Sequence, residues 1–172
     1  MDTAELTTPA IARRLACWLY EGMLLFGVVF IAGYLFGTLT QTRHALDNRH
    51  GLQGFLFVVI SAYFVEFWSR GQTLAMKTWN IRICNANGAP VSRQRAMLRY
   101  LLSWVWILPP LFVSWAGALP AGAIALVFLV WLLAWAGSSF LAPGRQFWHD
   151  IAAGTRLVHY VLPGEGAGPA AT

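Results

Sequence analysis

The longest uncharged run of this sequence, residues 100–144, most limits what the chain can fold into. Its 45 residues include no Asp, Glu, Lys or Arg. As a single helix rising about 1.5 Å per residue, it would be roughly twice as long as the hydrocarbon core of a bilayer is thick. Gly and Pro in "AGALPAG", residues 116–122, break the helical pattern near its middle. The run therefore predicts two membrane-spanning helices, near residues 100–116 and 121–141, joined by a short turn.

Two earlier segments, at about residues 15–39 and 51–69, are also long and apolar enough to cross a bilayer. The whole chain is 58% hydrophobic and only 11% charged, whereas soluble domains have roughly 25% charged residues. The sequence therefore predicts an all-α membrane protein, a four-transmembrane-helix bundle that forms one domain over residues 9–161. The remaining residues are expected to form an N-terminal tail, 1–8, and a disordered tail, 162–172.

The basic residues predict how the four helices are oriented. With four spans, the N-terminal tail, the second loop and the C-terminal tail lie on one side of the membrane, and they contain ten of the twelve Lys and Arg residues. The other side has two, Arg43 and Arg49. Because basic residues are enriched in cytoplasmic loops, we expect both termini to be cytoplasmic. The net charge of +5 is thereby explained without a nucleic-acid partner.

The second loop, between the predicted second and third helices, has a pattern typical of a β-hairpin. Trp79, Ile81 and Ile83 alternate with more polar residues, and Asn87-Gly88 follows where a tight turn favours positive φ angles. We therefore expect a short cytoplasmic β-hairpin formed within this loop. Four basic side chains around it are expected to face lipid headgroups, namely Lys77, Arg93, Arg95 and Arg99.

Three ordered sequence segments resemble the RDD family of small bacterial membrane proteins. "RRLACWLYEG" is similar to the opening motif of the family, "GQTLAMKTWNIRICNANG" to its loop and "FWHDIAAGTRLV" to its closing aspartate motif. The resemblance covers residues from about 9 to 161. The arginine and two aspartates that name the family fall by position on Arg14, Glu21 and Asp150, so that Glu replaces the first Asp. The resemblance implies a multi-pass protein of the bacterial inner membrane, and it suggests transport, with cation–proton exchange in some members.

These signature charges predict two interactions. Arg14 and Glu21 are seven residues apart, which places them on one helix face but separates them by about 10 Å. We therefore expect Asp150, which follows the fourth span on the same side as Arg14, to be the partner of Arg14. Because an ionised carboxylate in hydrocarbon is costly, Glu21 is expected to face protein or a water-filled cavity. There it could take up and release a proton, or it could only hydrogen-bond a neighbouring helix.

Three further features are candidate functional positions. Glu66 could line a proton or cation path, although its spacing from Arg70 also fits an i,i+4 ion pair at the interface. His149 could be a pH-sensitive group or a hydrogen-bonded structural histidine. Gly33 and Gly37 form a Gly-xxx-Gly pattern, which indicates a close helix contact.

The sequence has no motif of a hydrolase, a nucleotide-binding protein or a metalloenzyme. We therefore expect no enzymatic activity, no cofactor, no metal and no nucleic-acid partner. Two functions remain open. The first is a small oligomeric transporter of cations or small solutes, proton-coupled through Glu21. The second is a non-catalytic membrane scaffold or accessory protein that binds a partner or anionic lipid through its cytoplasmic loop. Either function fits a homo-oligomer or a complex with another membrane protein.

Overall fold

The computed structural model describes residues 7–41 and 48–160, which form a mostly helical protein. In chain order the elements are α1 (Ile11–Thr40), α2 (Arg49–Ser69), α3 (Leu74–Thr78), β1 (Ile81–Asn85), α4 (Arg93–Ala116), α5 (Ala121–Ser138), a 3₁₀ turn (Pro143–Arg145), α6 (Trp148–Ala152) and β2 (Thr155–His159). Four of the helices, α1, α2, α4 and α5, are long and apolar enough to cross a membrane.

The four predicted spans are confirmed as helices, and only their boundaries differ. The predicted span near residues 100–116 is the apolar part of a longer helix, α4, which begins at Arg93. As the sequence favours, Ser92 caps this helix, and its hydroxyl accepts a hydrogen bond from the Arg95 N–H (3.4 Å). The predicted tails fall mainly outside the described residues: only residues 7 and 8 of the first are described, and none of the second.

The surfaces of the long helices are apolar and exposed. Phe26 and Phe30 of α1 are 74% and 68% exposed, and α5 has no buried residue. A bundle in water would bury such side chains in a core, whereas a membrane helix leaves them in contact with lipid. Gly33 also lies beside open space, since an added Cβ would have no neighbour within 4 Å. Among the residues that the structure describes, Gly33 therefore has no close helix contact.

The second loop pairs with the C-terminal segment instead of forming the predicted hairpin. β1 and β2 make a two-stranded antiparallel sheet in which Ile83 lies opposite Leu157. The predicted turn does form, since Gly88 has a φ of +79° and its N–H donates to the Asn85 carbonyl oxygen (2.9 Å). After this turn, however, the chain enters α4. The hairpin prediction was therefore wrong in its pairing, because alternation of side chains identifies a strand but does not identify its partner.

The sheet covers one end of the helical bundle, which we call the sheet end. Cys17 near the start of α1, Ala96 near the start of α4 and Trp68 near the end of α2 belong to its core. Trp135 near the end of α5 stacks on Phe147 beside it. The His159 N–H donates to the Thr7 carbonyl oxygen (2.8 Å), so that both ends of the described chain meet at the sheet end. Helices and sheet form a common core there, made of Cys17, Trp68, Ala75, Met76, Ile81, Ile83, Val91, Ala96, Tyr100 and Leu157.

Candidate functional site

The carboxylate of Glu21 lies inside the protein, and its residue is 6% exposed. The Tyr63 hydroxyl donates to its Oε1 (2.6 Å), and the Thr73 hydroxyl donates to its Oε2. Thr73 also caps α3, because its Oγ1 accepts a hydrogen bond from the Met76 N–H (3.2 Å). Both carboxylate oxygens are thus held by hydroxyl groups of neighbouring elements. As predicted, Glu21 faces protein and not the lipid-facing surface.

Asp150 forms the most deeply buried ion pair of the site. Its side chain is fully buried, and Oδ1 accepts a hydrogen bond from Arg99 Nε at 2.6 Å. The Arg99 guanidinium also lies over the Trp68 ring, 4.0 Å from the ring centroid, which is a favourable position for a cation. The pair fastens α6 to α4 at the sheet end.

Two predictions about the arginines are wrong. Arg99 does not face headgroups, because it shares the inward face of α4 with Ala96 and Tyr100 and is 5% exposed. Within the described chain, Asp150 has Arg99 and not Arg14 as its arginine partner. The ion pair of Asp150 therefore connects α6 to α4 and not, as expected, to the first helix.

Arg14 lies close to this pair and is also buried, at 4% exposed. Its guanidinium is 4.6 Å from the centroid of the Phe147 ring. Its Nε and Nη1 are buried and have no hydrogen-bond partner in the described chain, and the same is true of Asp150 Oδ2. Buried donors and acceptors nearly always have partners. These atoms therefore mark a place where the site is chemically incomplete.

His149 belongs to a layer of aromatic rings at the sheet end. Its ring stacks with those of Trp135 and Phe147 at centroid distances of 5.6 and 5.7 Å, and its Nε2 lies 3.4 Å from Asp150 Oδ1. Burial lowers the pKa of His149 to about 4, against the raising effect of the Asp150 carboxylate. The imidazole is therefore neutral near pH 7, which does not support a role as a pH sensor near neutrality.

A cavity of about 520 Å³ connects these groups. Arg14, Arg99 and His149 line it at the sheet end, and Glu21 lies on its wall. Its deeper part is lined by aliphatic side chains, including Leu25, Ile60, Ile107 and Leu132. The volume falls within the range of about 300–1,000 Å³ that is typical of small-molecule sites. The described residues include no cluster of His, Cys, Asp or Glu that could hold a metal ion.

The other predicted site residues lie nearer the surface. Glu66 accepts hydrogen bonds from Arg70 (2.6 Å) and from Arg93 (3.0 Å), so that the predicted i,i+4 pair is confirmed. Glu66 does not line the cavity described above. Lys77 and Arg95 are exposed, and both remain available to headgroups.

Three residues of this site were not predicted from the sequence to belong to it, namely Tyr63, Thr73 and Arg99. Arg99 has a detectable signal, because it follows Ala96 by three positions and precedes Tyr100 on one helix face. Tyr63 and Thr73 have none, since they are 42 and 52 residues away from Glu21 in sequence. Contacts at such separations leave no local pattern.

Replacing Asp150 by Ala should lower the free energy of unfolding by about 3–5 kcal/mol, because the Arg99 guanidinium would remain buried without its counter-charge. Glu66→Ala is the control and should have little effect, because its two ion pairs are exposed to solvent. Unfolding of each purified variant in detergent measures the two changes in the free energy of unfolding. The double variant Arg99→Met, Asp150→Leu should recover much of the loss, and equal losses for Asp150→Ala and Glu66→Ala would contradict the prediction.

Stability should fall as the pH falls from about 6.5 towards about 4, because the unfolded chain binds a proton at His149 in this window and the folded chain does not. The loss attributable to His149 should reach about 2 kcal/mol by about pH 5. His149→Phe, which retains a ring but cannot be protonated, should flatten this slope, whereas His50→Phe at an exposed position should not. Unfolding in detergent over this pH range tests it, and an unchanged slope for His149→Phe would refute it.

The profile of the RDD family matches residues 8–154, a region that contains all four long helices and the buried residues Arg14, Glu21, Arg99 and Asp150. No curated protein and no solved structure matches the chain. The family match covers most of the sequence and agrees with the three segments that resemble the family. The chain belongs to the RDD family.

Proposed function

We propose that this protein is a small, non-enzymatic membrane transporter that moves cations or small solutes, with Glu21 as the residue that takes up and releases a proton. One observation carries the proposal: the buried Glu21 carboxylate lies on the wall of a partly open cavity in the helical bundle. It is about two helix turns from Arg14, in the apolar part of α1. Ionisable side chains inside membrane helices are costly and commonly mark proton or ion paths.

The two hydroxyl groups beside Glu21 suit a carboxyl group that changes its charge. While Glu21 is ionised, Tyr63 and Thr73 both donate hydrogen bonds to it. A hydroxyl group can also accept a hydrogen bond, so that a protonated Glu21 can donate to one of them. Because either atom of such an oxygen–oxygen contact can be the donor, a proton can bind and leave without breaking either contact.

A second copy of the chain would complete the path that this proposal requires. On α1 the cavity is lined from Arg14 to Leu25, whereas the helix continues to Thr40. Gly33 lies in this further part and faces open space. A Gly-xxx-Gly segment allows close approach of another helix. We therefore propose a homo-oligomer in which α1 contributes to the contact between copies.

One observation favours the alternative, a membrane scaffold or accessory protein. Lys77 and Arg95 are exposed near the sheet end, where basic side chains can attract anionic headgroups or an acidic partner. This function requires no movement of protons or cations. It is therefore the expected function if the folded protein transports nothing.

We further propose that the protein crosses the inner membrane four times with the sheet end in the cytoplasm. The enrichment of Lys and Arg in the segments that lead to this end supports that orientation. Reporter domains that are active on only one side of the membrane, fused to each terminus, should both report the cytoplasm. Signals from opposite sides would contradict an even number of spans.

Purified protein in liposomes that contain a pH-sensitive dye should move protons when a Na⁺, K⁺ or Li⁺ gradient is applied. Glu21→Gln should abolish this movement, because an amide of nearly the same shape cannot exchange a proton. Glu66→Gln is the matched control, since Glu66 lies outside the cavity, and it should retain the activity. Thermal unfolding establishes that each variant is folded. Absence of proton movement by folded wild-type protein, or an active Glu21→Gln, would refute the proposal.

A further inference from the structure

The cavity is polarised along its length. At the sheet end its wall carries the Arg14 guanidinium, whereas most of the deeper wall is aliphatic and aromatic and includes Leu25, Ile60, Phe64, Trp104, Ile107 and Leu132. The Glu21 carboxylate also lies on this wall, where the Tyr63 and Thr73 hydroxyl groups hold it. A molecule that fills the cavity should therefore have a polar group at the sheet end and an apolar body inside the bundle.

Arg14 provides an incompletely compensated positive charge at the polar end. Only 4% of its surface is exposed, and its Nε and Nη1 have no hydrogen-bond partner in the described chain. The nearby Asp150 carboxylate already forms an ion pair with Arg99 at 2.6 Å, so that it must compensate the guanidinium groups of both Arg14 and Arg99. Glu21 lies about 10 Å deeper along α1. An acidic group beside Arg14 would form charge-assisted hydrogen bonds with the free nitrogens.

The cavity opens towards the side of the bundle. Leu19 lines it and is 63% exposed, and Gly22 lines it where an added Cβ would meet nothing within 4 Å. α1 packs mainly against α2 and α3, and α5 packs mainly against α4. Leu19 of α1 and Leu132 of α5 both line the cavity, which forms a gap between these two helices. For a helix bundle in a bilayer, such a gap faces acyl chains. The bilayer is therefore the direct source of an occupant.

We propose that this cavity binds an anionic lipid, with the acidic headgroup at Arg14 and an acyl chain in the apolar part, which is lined by α1, α2, α4 and α5. Arg14 lies one turn after the start of α1, near the level at which lipid headgroups are found. The proposal goes beyond the transport function and does not depend on it, because Glu21 takes no part in holding the headgroup.

Tritiated oleate serves as the probe, and its binding is measured on the purified full chain in a non-ionic detergent, at an alkaline pH where the carboxyl group is ionised. Oleate should bind saturably, and oleyl alcohol should compete at least about tenfold less well because it lacks the charge. Arg14→Gln should weaken oleate binding at least about tenfold. Arg13→Gln removes the same charge from the exposed neighbour and should change binding by no more than about twofold.

A second matched pair tests the apolar part of the cavity and remains informative if Arg14→Gln does not fold. Gly22→Phe places a ring at the cavity wall, whereas Gly27→Phe places one in open space on α1 away from the cavity. Gly22→Phe should weaken oleate binding at least about tenfold by occupying the space of the chain. Gly27→Phe should leave it unchanged.

The proposal is overturned if folded wild-type protein shows no saturable oleate binding, or if the two members of either matched pair behave alike. Acetate or inorganic phosphate that competes as well as oleate would assign Arg14 to a water-soluble anion and overturn the lipid assignment. These outcomes are separate from the transport assay, since Glu21→Gln should abolish proton movement and still bind oleate.

Discussion

The Arg99–Asp150 ion pair is the interaction on which the arrangement of the sheet end depends. Its partners are 51 residues apart in sequence and both are buried, so that each charge is compensated mainly by the other. By holding α6 against α4, the pair places β2 where it can cover β1. β1 in turn fixes the loop before α3, because the Ile83 N–H donates to the Gly71 carbonyl oxygen (2.8 Å). That loop carries Thr73 to the Glu21 carboxylate, so the two halves of the site are mechanically connected.

The helices could be predicted from the sequence, whereas the sheet could not. A long uncharged run in a chain with few charges indicates a membrane-spanning segment. Inside a membrane such a segment must be a helix, because a helix satisfies all its backbone polar groups within the segment. The alternation around Ile83 correctly indicates a strand, and the Asn87-Gly88 turn forms. Its partner, however, is a segment close to the C-terminus, with Leu157 opposite Ile83. The residues after the turn lead into α4 instead, and Thr155–His159 takes the place beside β1.

For the candidate site, the sequence likewise predicts some features, namely the charged residues, but not others, namely their partners. Arg14, Glu21 and Asp150 stand out because charges are rare in such a sequence, and all three are buried. Their partners depend on packing that the sequence does not express. Arg14 and Arg99 are both on the same side of the membrane in the predicted arrangement, and charge alone does not distinguish them as partners of Asp150. The packing distinguishes them: Arg99 Nε reaches Asp150 Oδ1 at 2.6 Å, whereas the Arg14 guanidinium lies over the Phe147 ring, 4.6 Å from its centroid.

The charges inside the bundle balance in number but not in position. The Arg99 guanidinium pairs with the Asp150 carboxylate at 2.6 Å, and the Glu21 carboxylate is held by the hydroxyl groups of Tyr63 and Thr73. Glu21 lies about 10 Å along α1 from Arg14, where the attraction between two unit charges at an effective dielectric constant of about 20 is only about 1–2 kcal/mol. Arg14 is therefore buried with its Nε and Nη1 unpaired among the described residues. This imbalance in position, and not an excess of positive charge, is what an acidic headgroup in the cavity would correct.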